Sequence, residues 1–517
     1  MLVTLATHDP QVDLDLDRAT IPDLIQRFAT GRLTSVALTS AYLRRIEALD
    51  PLLHVVIALN PHALTQAADS DARHRAGGPL SPLDGIPVLI KDNLDTVDLP
   101  TTAGSRTMLG ARPAQDAEVV RRLREAGAVI LAKANLSEWA YYRSSRGTSG
   151  WSGVGGLTAN PHVLSRSASG SSSGSAAGVC ASLAQVAIGT ETDGSIVSPS
   201  GTTGIAGIKP TVGLVSRAGI VPITAAQDTA GPMTRHLVDA VLTLALIAGT
   251  DERDDATGEV SPECRSAVSQ LAARCATAAG TTAGTPGDGA TRLAGARLGV
   301  WRMAGYEPDV DELFQAALDR MAEAGAALVE VELDESRVQP DERVAMRSEF
   351  RRDLEAYLEQ TPGDHPRTLA ELITANEADP VELAHFGQEA LIASAAAPPA
   401  DDPQVVAARE RATGSARRLL AHALADDALD AVVAPTNGAA WVSRLDAGDT
   451  FPKVGTSTLS AVAGAPHVTV PMGVTAGLRL PVGLSFLGNR GDDARLLALA
   501  LAFETVAPLR VPPTYQP

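Results

Sequence analysis

The sequence contains little cysteine and no long apolar run. Its three cysteines, Cys180, Cys264 and Cys275, have neither the spacing of metal ligands nor the pattern of a disulfide framework. The longest apolar stretches, such as residues 240–248, are well short of the roughly 18–20 residues that cross a membrane. Residues 1–17 lack the basic and then apolar segments of a secretory signal. These features predict a cytoplasmic protein that has no membrane partner.

Basic residues are also in deficit. The 517 residues include 43 Lys and Arg against 61 Asp and Glu, which gives a formal net charge of −18. A surface this acidic argues against nucleic acid or an anionic membrane as the partner, because both require basic patches. Apolar residues make up 45% of the chain and charged residues 20%, the composition of an ordinary globular protein with a full core.

Lysine is scarce even among the basic residues, with four copies against 39 arginines. The four are Lys91, Lys133, Lys209 and Lys453. An arginine stays charged in a protein, whereas a buried lysine can lose its proton and act as a base. A lysine in such an arginine-rich chain is therefore a candidate for chemistry that arginine cannot perform.

Several catalytic and binding motifs are absent. The chain has no phosphate-binding Gly-Lys-Ser/Thr loop, no His-Glu-x-x-His zinc motif and no Ser-x-x-Lys motif. An Asp-x-Asp-x-Asp run at 13–17 lacks the glycine and glutamate of a calcium loop, and the glycines at 153 and 155 lack the third glycine of a dinucleotide-binding turn. A Gly-x-Ser-x-Gly match at 170–174 follows a polar segment, whereas the nucleophile elbow of an α/β-hydrolase follows a buried strand.

Alternating strand and helix patterns predict an α/β protein. Thr34 and Ser35 form an N-cap for a helix that ends at Asp50-Pro51, and residues 86–90 form a buried strand that ends at Lys91. Asp116 is expected to cap a helix through residue 126. Further patterns predict strands at 129–132, 186–189, 431–434, 468–470 and 484–487, helices at 176–183 and 493–506, a mainly helical region at 310–430 and a flexible loop at 276–291.

Three segments stand out as candidates for chemistry. Residues 85–93, Gly-Ile-Pro-Val-Leu-Ile-Lys-Asp-Asn, place Lys91 at the end of a predicted strand. Residues 169–175 are a Ser/Gly run, and residues 189–195, Gly-Thr-Glu-Thr-Asp-Gly-Ser, form a polar turn after a short strand. Taken singly, each has a plain structural interpretation: a lysine that reaches solvent, a linker and a turn. Lys133 ends a similar strand, so these patterns alone do not choose between the lysines.

Together, the three segments resemble the motifs of the amidase signature family, the Ser–Ser–Lys amide hydrolases. The family's Gly-Gly-Ser-Ser-Gly-Gly-Ser run corresponds to residues 169–175, and its Gly-Thr-Asp-Thr-Gly-Gly-Ser turn corresponds to residues 189–195. The family's two serines are separated by 24 positions, as Ser171 and Ser195 are. Further family segments match residues 207–216, 228–232, 434–436 and 481–484.

The resemblance implies a fold and a domain organisation. The fold is α/β, with a central mixed β-sheet covered by helices on both sides and a mainly helical insertion. A single domain then spans residues 1–517, with its core motifs at about 70–250, the insertion at about 310–430 and a return to α/β structure at 431–517. The family uses no metal and no cofactor.

The resemblance also implies a catalytic set. Ser195 is the nucleophile, Lys91 is the base, and Ser171 relays the proton between them from a cis peptide bond after Gly170. Burial suits this set, because it favours the neutral form of a lysine. The backbone N–H groups of Thr192, Asp193, Gly194 and Ser195 hold the oxyanion, and such donors are commonly worth about 2.7–4 kcal/mol each.

Details of the sequence are most similar to the peptide amidase branch, which removes the C-terminal amide of peptides. Many family members carry an arginine two or three residues after the nucleophile, where this chain has Val197 and Ser198. The loss of that cation disfavours a small substrate with a carboxylate. The candidate substrate-binding residues are Trp151, Ser172, Phe386, Gln388 and Trp441.

Three other functions remain open from the sequence. The chain resembles a component of the glutamyl-tRNA amidotransferase, which predicts stable partner subunits. It also fits a general aliphatic or aryl amide hydrolase. From outside the enzymes, a catalytically silent scaffold that binds peptide amides is the alternative. The sequence indicates an amide substrate as the ligand and gives no oligomeric state.

Overall fold

The computed structural model describes residues 8–9, 11–277, 293–303, 305–336 and 338–517. A mixed β-sheet of eleven strands forms its centre. In chain order, the strands are β1 (Val56–Leu59), β2 (Pro87–Lys91), β3 (Val129–Ala134), β4 (Val186–Glu191), β5 (Ala206–Lys209), β6 (Thr229–Thr234), β7 (Arg297–Trp301), β8 (Ala327–Val331), β9 (Ala431–Pro435), β10 (His467–Val474) and β11 (Pro481–Leu487).

The sheet combines parallel and antiparallel pairs in the order β8-β7-β9-β11-β10-β5-β6-β4-β2-β3-β1. β2 is parallel to β3 and β4, and β7 is parallel to β8 and β9. The other neighbours are antiparallel. β2, β3 and β4 are buried along their whole length, because their apolar runs face helices on both sides of the sheet.

Helices cover both faces of the sheet. The described part of the chain contains α1 (Ile21–Ala29), α2 (Ser35–Leu53), α3 (Ala63–Arg75), α4 (Glu118–Glu125), α5 (Ser173–Cys180), α6 (Val197–Thr203), α7 (Leu237–Ile247), α8 (Ala256–Glu259), α9 (Pro262–Thr277), α10 (Pro308–Glu323), α11 (Gln339–Gln360), α12 (Leu369–Ala378), α13 (Glu389–Ala395), α14 (Pro403–Asp426), α15 (Thr458–Ala463) and α16 (Asp493–Val506). The described part of the chain also contains two 3₁₀ turns, Arg106–Met108 and Glu138–Tyr141.

Short two-stranded pairs complete the described secondary structure. They join His8–Asp9 to Leu14–Asp15, Gly110–Ala111 to Gly363–Asp364, and Trp151–Ser152 to Gly156–Leu157. Among the described residues, no helix is both long enough and apolar enough to cross a membrane.

The predicted mainly helical region contains α10 to α14. Its longest helices, α11 and α14, pack against each other. A separate apolar cluster joins Phe350 and Leu354 of α11 to Met108, Val221 and Ile223 of the main body. The insertion is thereby held against loops that lie beside the candidate site.

Most predicted elements are confirmed with small shifts at their ends, and α16 has the predicted bounds. The helix expected to stop at Asp50-Pro51 continues to Leu53, whose complete burial holds the last turn in place. Asp116 does not cap α4, which begins after Ala117. Its carboxylate instead accepts the Val97 N–H at 2.9 Å and pairs with Arg124 at 2.9 Å.

Other outcomes differ from the prediction. The sequence analysis missed five of the eleven strands, namely β1, β5, β6, β7 and β8. β8 is an edge strand whose residues are exposed or half-buried, so its apolar pattern is weak. The predicted loop at 276–291 lies, from residue 278 onward, outside the described residues.

Candidate active site

Two parallel strands bring Lys91 and the turn that carries Ser195 to the same edge of the sheet. β2 pairs with β4 in a register that sets Ile90 opposite Ile188. Both strands consist of buried apolar residues up to that point, and polar residues follow on each: Lys91 on β2 and Thr190 on β4. The register therefore places the lysine beside the start of the polar turn.

The Ser/Gly segment at 169–175 packs across the end of β4. The Gly170–Ser171 peptide bond is cis, as the family resemblance implies. Ser171 O accepts the Ser137 N–H at 3.0 Å, and Ser172 Oγ donates to Thr190 O at 3.0 Å. These bonds fix the serine run against the strand that leads to Ser195.

Lys91 is completely buried, and its amine contacts three oxygen atoms. Nζ lies 2.8 Å from Ser171 Oγ, 2.8 Å from Thr190 Oγ1 and 3.2 Å from Thr190 O. Burial lowers the pKa of Lys91 to about 7, although the carboxyl groups of Asp228 and Glu191 act in the opposite direction. A neutral amine has two N–H donors and one lone pair. These suit the two Thr190 oxygens as acceptors and the Ser171 hydroxyl as donor.

The other two buried lysines have different partners. Lys133 Nζ lies 3.1 Å from Asp92 Oδ1 and also contacts two backbone carbonyls and two threonine hydroxyls. Such a set satisfies a buried ammonium group. Lys209 Nζ donates to Pro210 O at 3.3 Å, and burial lowers its pKa to about 8. Among these three lysines, Lys91 is the one placed against the serine run.

The turn after β4 presents unused backbone donors. Gly194 has φ +78°, a left-handed conformation that favours glycine, and a Cβ there would lie 3.0 Å from Ser457 Oγ. Glu191 Oε2 accepts the N–H groups of Ile196 at 2.7 Å and Val197 at 3.0 Å, which fixes the end of the turn. Within the described chain, the N–H groups of residues 193–195 donate no hydrogen bond. They are free to bind an oxygen of a ligand.

Asp193 stands where the family motif has glycine. Its carboxylate accepts hydrogen bonds from Ser457 Oγ and, at 2.9 Å, from Thr458 Oγ1. Burial raises the pKa of Asp193, against the lowering effect of these two hydroxyls and of Lys209. Burial and the neighbouring carboxyl groups, Asp193 among them, raise the pKa of Glu335 to about 7. This side of the site therefore disfavours further negative charge.

One cavity of about 570 Å³ connects these features, and we call it the serine cavity. Ser171, Ser195 and residues 192–194 form part of its wall, while Lys91 lies behind Ser171. The wall also contains Tyr141, Glu335, Asn437, Trp441 and Phe451. Within the described residues, no three His, Cys, Asp or Glu side chains are grouped to hold a metal ion.

A comparison with known proteins identifies the family. The profile of the family described as Amidase matches residues 37–497. The chain belongs to the amidase family. It is 38% identical to a probable amidase of Arabidopsis thaliana over 514 residues, which cover 97% of this chain and 92% of the relative. Together with its structural neighbours, the family match establishes an amide-hydrolysing enzyme.

Two further relatives bear on the type of amidase. The crystal structure of native peptide amidase from Stenotrophomonas maltophilia is 44% identical and superimposes with a TM-score of 0.87, covering 96% of this chain and 98% of that one. A glutamyl-tRNA(Gln) amidotransferase subunit of Salinispora arenicola is 33% identical over 522 residues, which cover 96% of this chain and 99% of the relative. The mixed sheet with its helical layers is thus the fold of a solved amidase.

The predicted substrate-binding residues of this amidase lie in different surroundings. Trp441 lies on the wall of the serine cavity. The rings of Trp151 and Phe386 pack against each other at 5.0 Å, with the Arg143 guanidinium 4.9 Å and 4.4 Å from their centres. Gln388 is buried and donates to Ile373 O at 3.1 Å. The contact between Trp151 and Phe386 attaches the insertion to the main body, the Gln388 bond lies within the insertion, and none of the three residues lines the cavity.

Ser172 is likewise outside the wall of the serine cavity, because its hydroxyl is occupied by the Thr190 backbone. The sequence analysis did not find Tyr141, Asn437 or Phe451, which do line it. Asn437 directly follows the family segment at 434–436, and this position next to a motif could have indicated that it lies at the site. Tyr141 and Phe451 lie far from any motif, and only the fold brings them to the site.

Proposed function

We propose that this amidase removes the C-terminal amide of peptides through an acyl-enzyme on Ser195. The observation that carries the proposal is the 2.8 Å contact between Lys91 Nζ and Ser171 Oγ, at a cavity that Ser171 and Ser195 both line. The peptide preference is supported by the 44% identity to a peptide amidase over nearly the whole chain.

The first step transfers a proton through two serines. Neutral Lys91 takes the Ser171 proton, Ser171 takes the Ser195 proton, and Ser195 Oγ forms a bond to the amide carbon. A serine hydroxyl is a weak nucleophile without such a base, and this arrangement replaces the histidine of the common triad by a lysine. The low pKa of Lys91 keeps a large share of the amine neutral near pH 7.

The second step breaks the carbon–nitrogen bond. The attack of Ser195 moves an electron pair onto the carbonyl oxygen, and the unused N–H groups of residues 193–195 stabilise that negative charge until the carbonyl re-forms and the nitrogen is expelled. The proton held by Lys91 returns through Ser171 to the amide nitrogen, which leaves as ammonia. Water then adds to the Ser195 ester by the same relay, and the peptide acid is released.

Charge in the serine cavity favours an amide over a free carboxylate. Asp193 and Glu335 lie on the wall, and Val197 and Ser198 occupy the positions where many relatives carry an arginine. A peptide amide is neutral at its C-terminus, whereas a peptide acid brings a negative charge next to these carboxyl groups. The same repulsion helps the acid product to leave.

A substrate panel tests the proposal. The purified chain is incubated with acetylated di- and tripeptide amides, with acetamide and benzamide, and with the matching peptide acids as blanks. We expect ammonia release from the peptide amides, with kcat/KM at least about tenfold above that for the simple amides, because the larger acyl group contributes binding energy to the transition state.

The other outcomes separate the alternatives. Release from the simple amides alone would contradict the peptide preference and leave a general amide hydrolase. No release by the lone chain, followed by release when a co-purifying protein is added, would favour the amidotransferase type. Binding of peptide amides without any turnover would indicate a silent scaffold.

A further inference from the structure

A second depression lies beside the serine cavity, and we call it the aromatic groove. Its volume is about 490 Å³. It shares four residues with the wall of the serine cavity, namely Trp441, Phe451, Pro452 and Lys453. The rest of its wall comes from Arg166, residues 305–307, residues 439–440, Thr450 and Leu480. The two depressions therefore adjoin each other at the chain segment 451–453.

Aromatic side chains gather where the two depressions meet, although the whole chain has only 17 aromatic residues. The rings of Trp441 and Phe451 pack edge to face at 5.1 Å, and Tyr141 packs against Phe451 at 5.7 Å. Phe451 and Tyr306 are nevertheless 55% and 54% exposed. Large apolar side chains that are exposed together mark a binding surface rather than a core.

The charged groups of the groove are mainly cationic. Glu307 is the acidic residue of the groove wall, and its Oε2 accepts the Ala439 N–H at 3.0 Å. Lys453 holds its ammonium 5.6 Å from the centre of the Tyr306 ring. Arg166 contributes a second cation on the wall. The groove thus suits apolar or acidic groups and disfavours basic ones.

We propose that the aromatic groove binds the residues of a peptide substrate that precede those in the serine cavity, with a large apolar side chain against Phe451 and Tyr306. The inference rests on the proposed function. A peptide whose C-terminal amide reaches Ser195 must leave the serine cavity, and the groove adjoins it directly. An extended chain advances about 3.3 Å per residue, so a few further residues are enough to cover the groove.

The test compares ammonia release from Ac-Ala-Ala-NH2, Ac-Ala-Ala-Ala-Ala-NH2, Ac-Phe-Ala-Ala-Ala-NH2 and Ac-Ala-Phe-Ala-Ala-NH2. We expect kcat/KM for the better Phe-containing tetrapeptide to exceed that for the all-alanine tetrapeptide by about five- to tenfold, as a new aromatic contact would give. Tyr306→Ala should bring this ratio close to one, and Tyr306→Phe should preserve it because the ring remains. Leu109→Ala, an exposed apolar residue on neither wall, is the matched control and should leave the ratio unchanged.

The outcomes distinguish the groove from the proposed function. Equal kcat/KM for all three tetrapeptides, or an unchanged ratio in Tyr306→Ala, would overturn the groove while ammonia release still supports a peptide amidase. Absence of ammonia release from every peptide amide would overturn the proposed function and the groove with it.

Discussion

Replacing Ser195 by alanine should reduce ammonia release from a peptide amide by about 10⁴-fold or more, because the proposed mechanism forms the acyl ester on the Ser195 hydroxyl. The side chain lies on the wall of the serine cavity, and among the described residues its hydroxyl takes no part in the Glu191 hydrogen bonds that hold the turn. The turn itself is fixed by Glu191 and Gly194, so we expect the variant to fold and to bind substrate. The measurement is kcat and KM for Ac-Ala-Ala-NH2, with circular dichroism as the check on folding.

Ser198→Ala is the matched control for Ser195→Ala. Ser198 lines the same cavity, and its hydroxyl lies 2.8 Å from Ser169 Oγ. A loss of less than about tenfold is expected there, because that hydroxyl is outside the proton relay. Residual activity above about 1% in Ser195→Ala, or an equally deep loss in Ser198→Ala, would contradict the role of Ser195.

Replacing Lys91 by arginine or methionine should lower kcat/KM by about 10³-fold, the range that a positioned general base contributes. Arginine keeps the positive charge at every working pH and cannot take the Ser171 proton. Methionine keeps much of the length and apolar packing but has no amine. The exposed Lys453 offers the control substitution Lys453→Arg, which should leave kcat/KM for the short amide within about threefold, since charge is retained.

The pH profile of the unchanged enzyme tests the same residue independently. Burial lowers the pKa of Lys91 to about 7, so the neutral base becomes more abundant as the pH rises through 7. We expect kcat/KM to increase over that range and to level off above it. With an ordinary lysine pKa, roughly one amine in 3,000 would be neutral at pH 7 and the increase would continue to much higher pH. A flat profile between pH 5 and 9, or full activity of Lys91→Arg, would contradict the lysine base.

The sequence predicts well the part of the sheet where Lys91 and the turn of Ser195 meet. The apolar runs of β2 and β4 end at polar residues, and parallel neighbours bring their ends together. The 24-residue separation of Ser171 and Ser195 and the Ser/Gly run then select the family. The apolar runs of β3, β9, β10 and β11 are found in the same way, whereas β7, which is also largely buried and parallel to both neighbours, is missed.

The walls of the serine cavity could not be predicted in the same way. Trp151 and Phe386 are aromatic residues of the kind that line a substrate cleft, but their rings pack around the buried Arg143. Glu138 and Glu382 each lie 3.0 Å from that guanidinium. The attraction between the guanidinium and the two ring faces accounts for the position of the rings. Neither periodicity nor motif spacing reports such long-range partners.

The exposed aromatic residues of the cavity and groove walls could not be predicted from the sequence either. Phe451 lies in a polar loop between β9 and α15, where an isolated aromatic residue carries no pattern. Its position on two depressions depends on the packing of that loop against Tyr141 and Trp441. Local patterns therefore predict the α/β class and the family resemblance predicts the mixed sheet, whereas the residues on the cavity and groove walls require the tertiary structure.

Identification of the acylated residue tests the central claim most directly. The enzyme is mixed with the p-nitrophenyl ester of acetyl-Ala-Ala, whose good leaving group makes acylation fast, and is quenched in acid before mass spectrometry of its proteolytic peptides. The account predicts an added acetyl-Ala-Ala group on Ser195 and no adduct in Ser195→Ala. Treatment of the acyl-enzyme with hydroxylamine should remove the added group, because hydroxylamine cleaves the serine ester. An adduct on Ser171 or another residue, or the same adduct in Ser195→Ala, would contradict the account.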